Sequence, residues 1–183
     1  MNDGEILDLI RADPWMMRVL GAAAALGLPD WMIGAGFVRN KVWDHLHGFA
    51  NPQVRTADID LIYFDPTDLR ESTEKEHDRQ LRAACDVNWS AKNQARMHEV
   101  TGDAPYTSAA DGLAHWVESA TCVAVTVQGG ALRLIAPHGT GDLVGLIVRR
   151  SPGFTRDIGV LRERVASKRW LETWPRLRVV LDV

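Results

Sequence analysis

Two aspartates one residue apart, Asp58 and Asp60, stand at the entrance of the run TADIDLIYFD at 56–65. Ile59, Leu61, Ile62, Tyr63 and Phe64 read as a largely buried strand, and two carboxylates at its mouth are costly if left unpaired. Side chains alternate across a strand, so both acids project from one face while Ile59 and Leu61 pack into the opposite layer. At about 6–7 Å apart along the backbone they can converge on one divalent ion or bridge two. Without a cation they repel, and one is driven toward protonation. Oxygen-only donors favour Mg²⁺ or Mn²⁺ over zinc. The competing structural reading has the acids cap the strand end and pair with Arg39 or Arg55. On the pair alone, that reading stands ahead.

The upstream stretch IGAGFVRN shifts the balance. A strand running into Gly34, Ala35 and Gly36 and then a helix exposes backbone N–H groups at the positive helix end, a seat that suits phosphate. A lone G-x-G also serves any tight strand-to-helix turn. A phosphate cradle on one strand and a metal-ready acid pair on the next together fit metal-assisted phosphoryl or nucleotidyl chemistry.

A glycine turn opening a helix, followed one strand later by Asp-x-Asp in an apolar strand, resembles the signature of the polymerase-β-type nucleotidyltransferase superfamily. More closely, IGAGFVRNKVWDHLHGF, DIDLIYFD, WSAKNQARMH and the APHGTGDL turn resemble a bacterial nucleotidyltransferase-like family, over about Trp31 to Arg150. The resemblance implies a small mixed sheet flanked by helices, in an α+β (mixed α/β) domain. It also implies a nucleoside triphosphate donor near Gly34, Ala35 and Gly36, and metal ions held by Asp58 and Asp60. Catalysing members usually add a third acid from a later strand. In CDVNWSAKNQ the acid is Asp86, at the strand's start, with Asn88 and Ser90 at the same parity further in.

Further polar residues surround these motifs. Lys92, Asn93, Gln94, Arg96 and His98 cluster at a strand-to-helix junction. There Lys92 and Arg96 are candidates for triphosphate oxygens, against an alternative in which Asn93 caps its helix and Arg96 pairs with an internal acid. Arg39, Asn40 and Asp44 lie on the helix behind the glycine turn. Arg39 is a candidate nucleotide ligand, and Asn40 and Asp44, one turn apart, are expected to hydrogen-bond within the domain. His45 and His47 point about 200° apart on a helix and cannot chelate one ion together. His138 and Asp142 read as turn residues. Arg149, Arg150, Arg162, Arg164, Lys168 and Arg169 give the C-terminal third a basic bias interleaved with Asp157, Glu163 and Glu172, which reads as a solvated helix face.

The elements that must position these residues follow from pattern. Helices are expected over 3–12 and 14–27, the second capped by Asp13-Pro14 and stopped by Gly27 and Pro29. A strand from Trp31 leads into an amphipathic helix opening at Gly36, with Val38, Val42, Leu46 and Phe49 as its apolar points. A solvated helix over 67–84, a strand over 87–92, a helix over 93–100 and a Ser108-capped helix to about Val117 come next. ATCVAVTVQGGALRLIA reads as a hairpin turning at Gly129-Gly130. A short helix or strand runs through LVGLIVRR, and a last helix spans roughly 156–172.

At 183 residues with 46% hydrophobic and 25% charged residues, one globular domain over 1–183 is expected, with helices over 1–29, a core over 30–150 and a helix and tail over 151–183. A net charge of −3 sets up no global field for duplex nucleic acid. No stretch reads as a signal peptide or a membrane span, so a cytoplasmic protein is expected. The seven tryptophans are scattered and read as core, and Cys85 and Cys122 as buried free thiols. The function expected is metal-dependent transfer of a nucleoside monophosphate from an NTP to a small molecule, protein or RNA. The alternative is a catalytically weak or inactive nucleotide-binding or partner-binding module on the same fold.

Overall fold

In the computed structural model, which describes residues 1–50 and 58–181, five strands form one mixed sheet in the order β3-β2-β1-β4-β5. β2 (Ile59–Tyr63) lies parallel to β3 (Trp89–Asn93), and β1 (Met32–Gly34) runs antiparallel to both β2 and β4 (Ala124–Gln128). β4 and β5 (Ala131–Ile135) form the expected hairpin, turning on Gly129 and Gly130 at φ 58° and 77°. Both values are the positive ones that a two-residue hairpin turn demands. The parallel pair needs a crossover, supplied by the helix α4 (Glu71–Ala84). Arg55, Thr56 and Ala57 lie outside the described residues.

The first two helices, α1 (Asp3–Arg11) and α2 (Pro14–Ala25), start on side-chain caps. Asn2 and Glu5 close a reciprocal capping box, and Asp13 accepts from the N–H groups of Trp15 and Met16 at 3.0 and 3.3 Å. Ile6, Ile10, Met16 and Leu20 from these helices join Ile33, Ile59 and Leu61 of the sheet and Leu161, Trp170 and Trp174 of the C-terminal third in one continuous core. Ile59 and Leu61 therefore occupy the layer behind the two acids, as strand parity requires.

The helix α3 (Gly36–His47) departs from the amphipathic pattern, for Arg39, Asn40 and Asp44 are buried along with Phe37, Val38, Val42 and Trp43. Polar groups are tolerated there because they are partnered. Asp44 accepts from the Trp174 indole at 2.9 Å, and Asn40 accepts from Arg39 at 3.0 Å. Trp43 packs edge-on against Trp170 and Trp174, with ring centres 5.7 and 5.2 Å away, and donates to the Leu143 carbonyl at 3.2 Å.

Beyond β3 come α5 (Gln94–Thr101) and α6 (Ala109–Ala114), the latter capped by Ser108 and shorter than expected. A 3-10 turn at Ser119–Thr121 precedes the hairpin. The LVGLIVRR region holds the end of α7 (Gly141–Val144) and then β6 (Ile147–Arg149), which pairs in parallel with β7 (Arg178–Val180), a strand the sequence pattern did not reveal. The last expected helix is two: α8 (Ile158–Lys168) ends where Arg169 turns left-handed at φ 50°, and α9 (Trp170–Thr173) follows. Trp43, Trp89, Trp170 and Trp174 are buried, Cys122 is a buried free thiol and Cys85 a half-buried one. No helix among the described residues is long and apolar enough to cross a membrane.

Candidate active site

An open cleft of about 670 Å³ lies over the face of β2 that carries Asp60. Its wall combines Ala35, Gly36 and Arg39 from the β1–α3 junction, Asp58, Asp60 and Ile62 from β2, and Lys92 from β3. α5, α6 and the segment after α6 close one side through Gln94, Gly112, His115 and Trp116. The C-terminal helices close another through Arg164, Lys168 and Trp170.

The two acids differ in environment. Asp58 is exposed, and one of its oxygens accepts from the Asn88 amide at 2.5 Å. Asp60 is half-buried; burial pushes its carboxyl up to about 6, the charge of Arg39 opposes that rise, and Asp58 adds to it. Neither acid forms an ion pair among the described residues, so the strand-capping reading through Arg39 does not hold. Arg55 lies outside the described residues. Two half-open carboxylates offering oxygens alone suit a hard divalent cation, and Mg²⁺ is commonly held by one or two carboxylates together with substrate phosphates. No group of three or more acid, histidine or cysteine side chains suited to a metal occurs among the described residues.

Asp86, the candidate third acid, is exposed and does not line the cleft. On β3 the residue in register with Asp60 is Ser90, and register partners in neighbouring strands project to the same side. At that register position the strand carries a hydroxyl rather than a carboxylate.

The glycine turn is built differently from the expectation. Ala35, not a glycine, takes the unusual backbone, φ 50° and ψ −123°, held by its N–H donating to the Val123 carbonyl at 3.1 Å. Its carbonyl accepts from the N–H groups of Val38 and Arg39, which starts α3. Gly34 does not line the cleft; a Cβ there would sit 3.0 Å from Cη2 of Trp116, so this glycine makes room for the indole. Ala35 and Gly36 alone present the amino end of α3 to the cleft.

The basic candidates separate as sharply. Arg39 is 7% exposed and stacks 4.5 Å from the Trp170 ring centre and 5.1 Å from that of Trp43. It donates to Thr121 Oγ1 at 2.9 Å and to Asn40, its Nε has no partner among the described residues, and burial lowers its pKa to about 10, leaving it charged at neutral pH. Arg96 grips the buried Glu74 through Nε and Nη2 at 2.8 and 2.6 Å and does not line the cleft, which is the internal-acid pairing. Lys92 does line it, but shares Glu74 at 3.2 Å. Asn93 caps α5, and its amide also fastens the Asp65 and Asp68 carbonyls.

Several residues read as structural do remain so. His47 bridges the Trp43 carbonyl and the Arg176 N–H, His138 bonds the Ala114 carbonyl, and Asp142 accepts from Ser119 and pairs with Arg149. The basic C-terminal helix does not. Arg164 and Lys168 line the cleft, and Arg164 pairs at 2.6 Å with Glu118, which is fully buried. Their four-residue spacing was the available signal, since it sets both on one helix face.

Comparison with known proteins follows the same lines. A nucleotidyltransferase family model matches residues 21–179. A solution structure described as revealing a CCA-adding enzyme head domain is 31% identical, with a TM-score of 0.86 over 98% of this chain and 96% of that one. A CCA-adding enzyme in complex with CTP superposes over 98% of this chain and 43% of its own, at 15% identity and a TM-score of 0.56, a likeness of fold. No protein of curated function matches the sequence.

Proposed function

The chain belongs to the nucleotidyltransferase family, and from that premise we propose that it moves a nucleoside monophosphate from a nucleoside triphosphate to an acceptor hydroxyl, with a divalent cation held by Asp58 and Asp60. The observation that carries this reading is the acid pair itself. Two carboxylates that form no ion pair among the described residues line a cleft whose wall also holds the amino end of α3 and the buried charge of Arg39.

Each residue contributes a definable part. The α3 amino end at Gly36 attracts phosphate oxygens through the helix dipole, while the Ala35 N–H is already bonded to Val123. Arg39 supplies fixed positive charge that costs no reorganisation, because the Trp43 and Trp170 rings already hold its guanidinium. Lys92, half-exposed beside Glu74, offers a second mobile cation at the β3 side. Asp58 and Asp60 would hold Mg²⁺ or Mn²⁺, which would supply charge neutralisation at the reacting phosphate. The acceptor hydroxyl belongs to a small molecule, a protein or an RNA.

Calorimetric titration of each NTP with Mg²⁺ into the native protein and Asp58→Asn tests this reading. Divalent-dependent binding that disappears in a folded variant supports it, and equal binding by both forms removes the acids from the site. A second reading, nucleotide binding without transfer, is favoured by Ser90 standing where a third carboxylate would complete the acid set. Pyrophosphate release from labelled NTP in the presence of candidate acceptors separates the two.

A further inference from the structure

The cations around the cleft are not equivalent, and the difference singles out α8. Lys92 and Arg96 both engage the carboxylate of Glu74, whose side chain is 1% exposed, so each cation of the β3–α5 junction already has an acid partner. Arg39 is immobilised between aromatic rings at the floor. Arg164 is tied through Nε and Nη2 to Glu118 and also lines the cleft. Lys168 is different: it lines the cleft, is exposed, and has no ion-pair or hydrogen-bond partner among the described residues. Lys168 and Arg164 line the same cleft as the acid pair.

We propose that Lys168, with Arg164 one turn before it, seats the polyphosphate tail of the nucleoside triphosphate, so that α8 rather than the Lys92–Arg96 junction forms the anion subsite. This rests on the nucleotidyl-transfer reading for the identity of the ligand. Residues four apart on a helix are neighbours, about 5–6 Å between Cβ atoms, a spacing that lets both heads reach successive phosphates of one chain. A lysine without a partner carries a mobile, strongly hydrated point charge that gains most from a phosphate. Arg164 is the fixed member, since Glu118 sets its guanidinium plane from behind. An acid pair on one wall and this cation pair on another leave the polyphosphate stretched between them, with the nucleoside monophosphate portion at the acids and the leaving portion against α8.

Inorganic tripolyphosphate, which has no base or sugar, tests the subsite by calorimetry in the presence of Mg²⁺, alongside the four NTPs and the corresponding monophosphates. Lys168→Met is expected to weaken tripolyphosphate and NTP binding about tenfold and monophosphate binding little, with most of the loss restored in Lys168→Arg. Arg162→Met, on the same helix but lining a different surface depression, is the charge control and is expected to bind as the native protein does. Native-like binding by Lys168→Met, an equal loss in Arg162→Met, or absence of tripolyphosphate binding in the native protein overturns the proposal. If Asp58-dependent NTP binding persists while Lys168→Met is silent, only the α8 subsite fails. If tripolyphosphate binds through Lys168 but no NTP binds, the subsite stands and the nucleotidyl-transfer reading fails.

Discussion

Ser90 stands in register with Asp60 across the parallel β2–β3 ladder, so the neighbouring strand offers a hydroxyl at the place from which a third carboxylate would reach the acid pair. Strands in a sheet lie about 4.8 Å apart, so a side chain at 90 is within reach of whatever Asp60 holds. Ser90→Asp should therefore raise affinity for Mg²⁺. Without the ion, the added charge beside Asp60 should cost roughly 1 kcal/mol of stability. Thermal melting with and without MgCl₂ reads both effects, and a Mg²⁺-induced rise no greater than that of the native protein would show that the carboxylate at 90 does not join the site.

Gly34 belongs to packing. A methyl group there meets Trp116 at 3.0 and 3.2 Å, tighter than ordinary contacts, so Gly34→Ala should destabilise by about 1–3 kcal/mol. Trp116→Leu in the same chain should recover part of that loss, making the pair non-additive in a urea-unfolding cycle. A Gly34→Ala protein of native stability that had lost NTP binding would return this glycine to a phosphate role.

What the sequence disclosed was local. The same-face placement of Asp58 and Asp60 follows from strand parity, the hairpin from Gly129-Gly130, and the start of α2 from Asp13-Pro14, each within a few residues. What it hid depends on distant partners. Arg39 is buried because Trp170 covers it from the far end of the chain, and Arg164 is tethered by Glu118 from another element. Interleaved Glu163 and Glu172 made α8 look solvated, although Lys168 turns into the cleft. The break at Arg169 has no glycine to announce it, and β7 is a three-residue strand recognisable only by its pairing with β6. The family resemblance reached the acids and the turn but not α8, which lies beyond the motifs that carry it.

Glu74 makes the β3–α5 junction sensitive to acid. Burial pushes its carboxyl up, but the bonds from Arg96 and the Asn93 N–H, with Lys92 adding its charge, outweigh that and hold it below the ordinary value of 4.5. A folded-state pKa below the unfolded one contributes stability that is fully present above about 4.5 and is lost as the pH falls through the lower, folded value. Glu74→Gln should thus cost on the order of 3 kcal/mol at pH 7, where it leaves Arg96 uncompensated. The gap to the native protein should narrow steadily below pH 4.5. Urea unfolding at a series of pH values measures it, and a gap independent of pH would mean that the carboxylate charge contributes nothing.

Ala35 carries a backbone that L-residues adopt at a cost, φ 50° and ψ −123°, at the point where β1 turns into α3. Positive φ penalises a non-glycine residue by about 1–2 kcal/mol, while glycine loses roughly 0.5–1 kcal/mol more conformational entropy on folding than alanine. The first effect exceeds the second, so Ala35→Gly should stabilise the protein by up to about 1 kcal/mol, a rise of about 2–4 °C in Tm for a chain of this size. The bonds that define the turn, from the Ala35 N–H to Val123 and from Val38 and Arg39 to the Ala35 carbonyl, involve only backbone and survive the change. NTP affinity should accordingly remain as in the native protein. A fall in Tm would show that the lost packing of the buried Ala35 methyl, together with the added chain entropy, outweighs the relief of strain at this position.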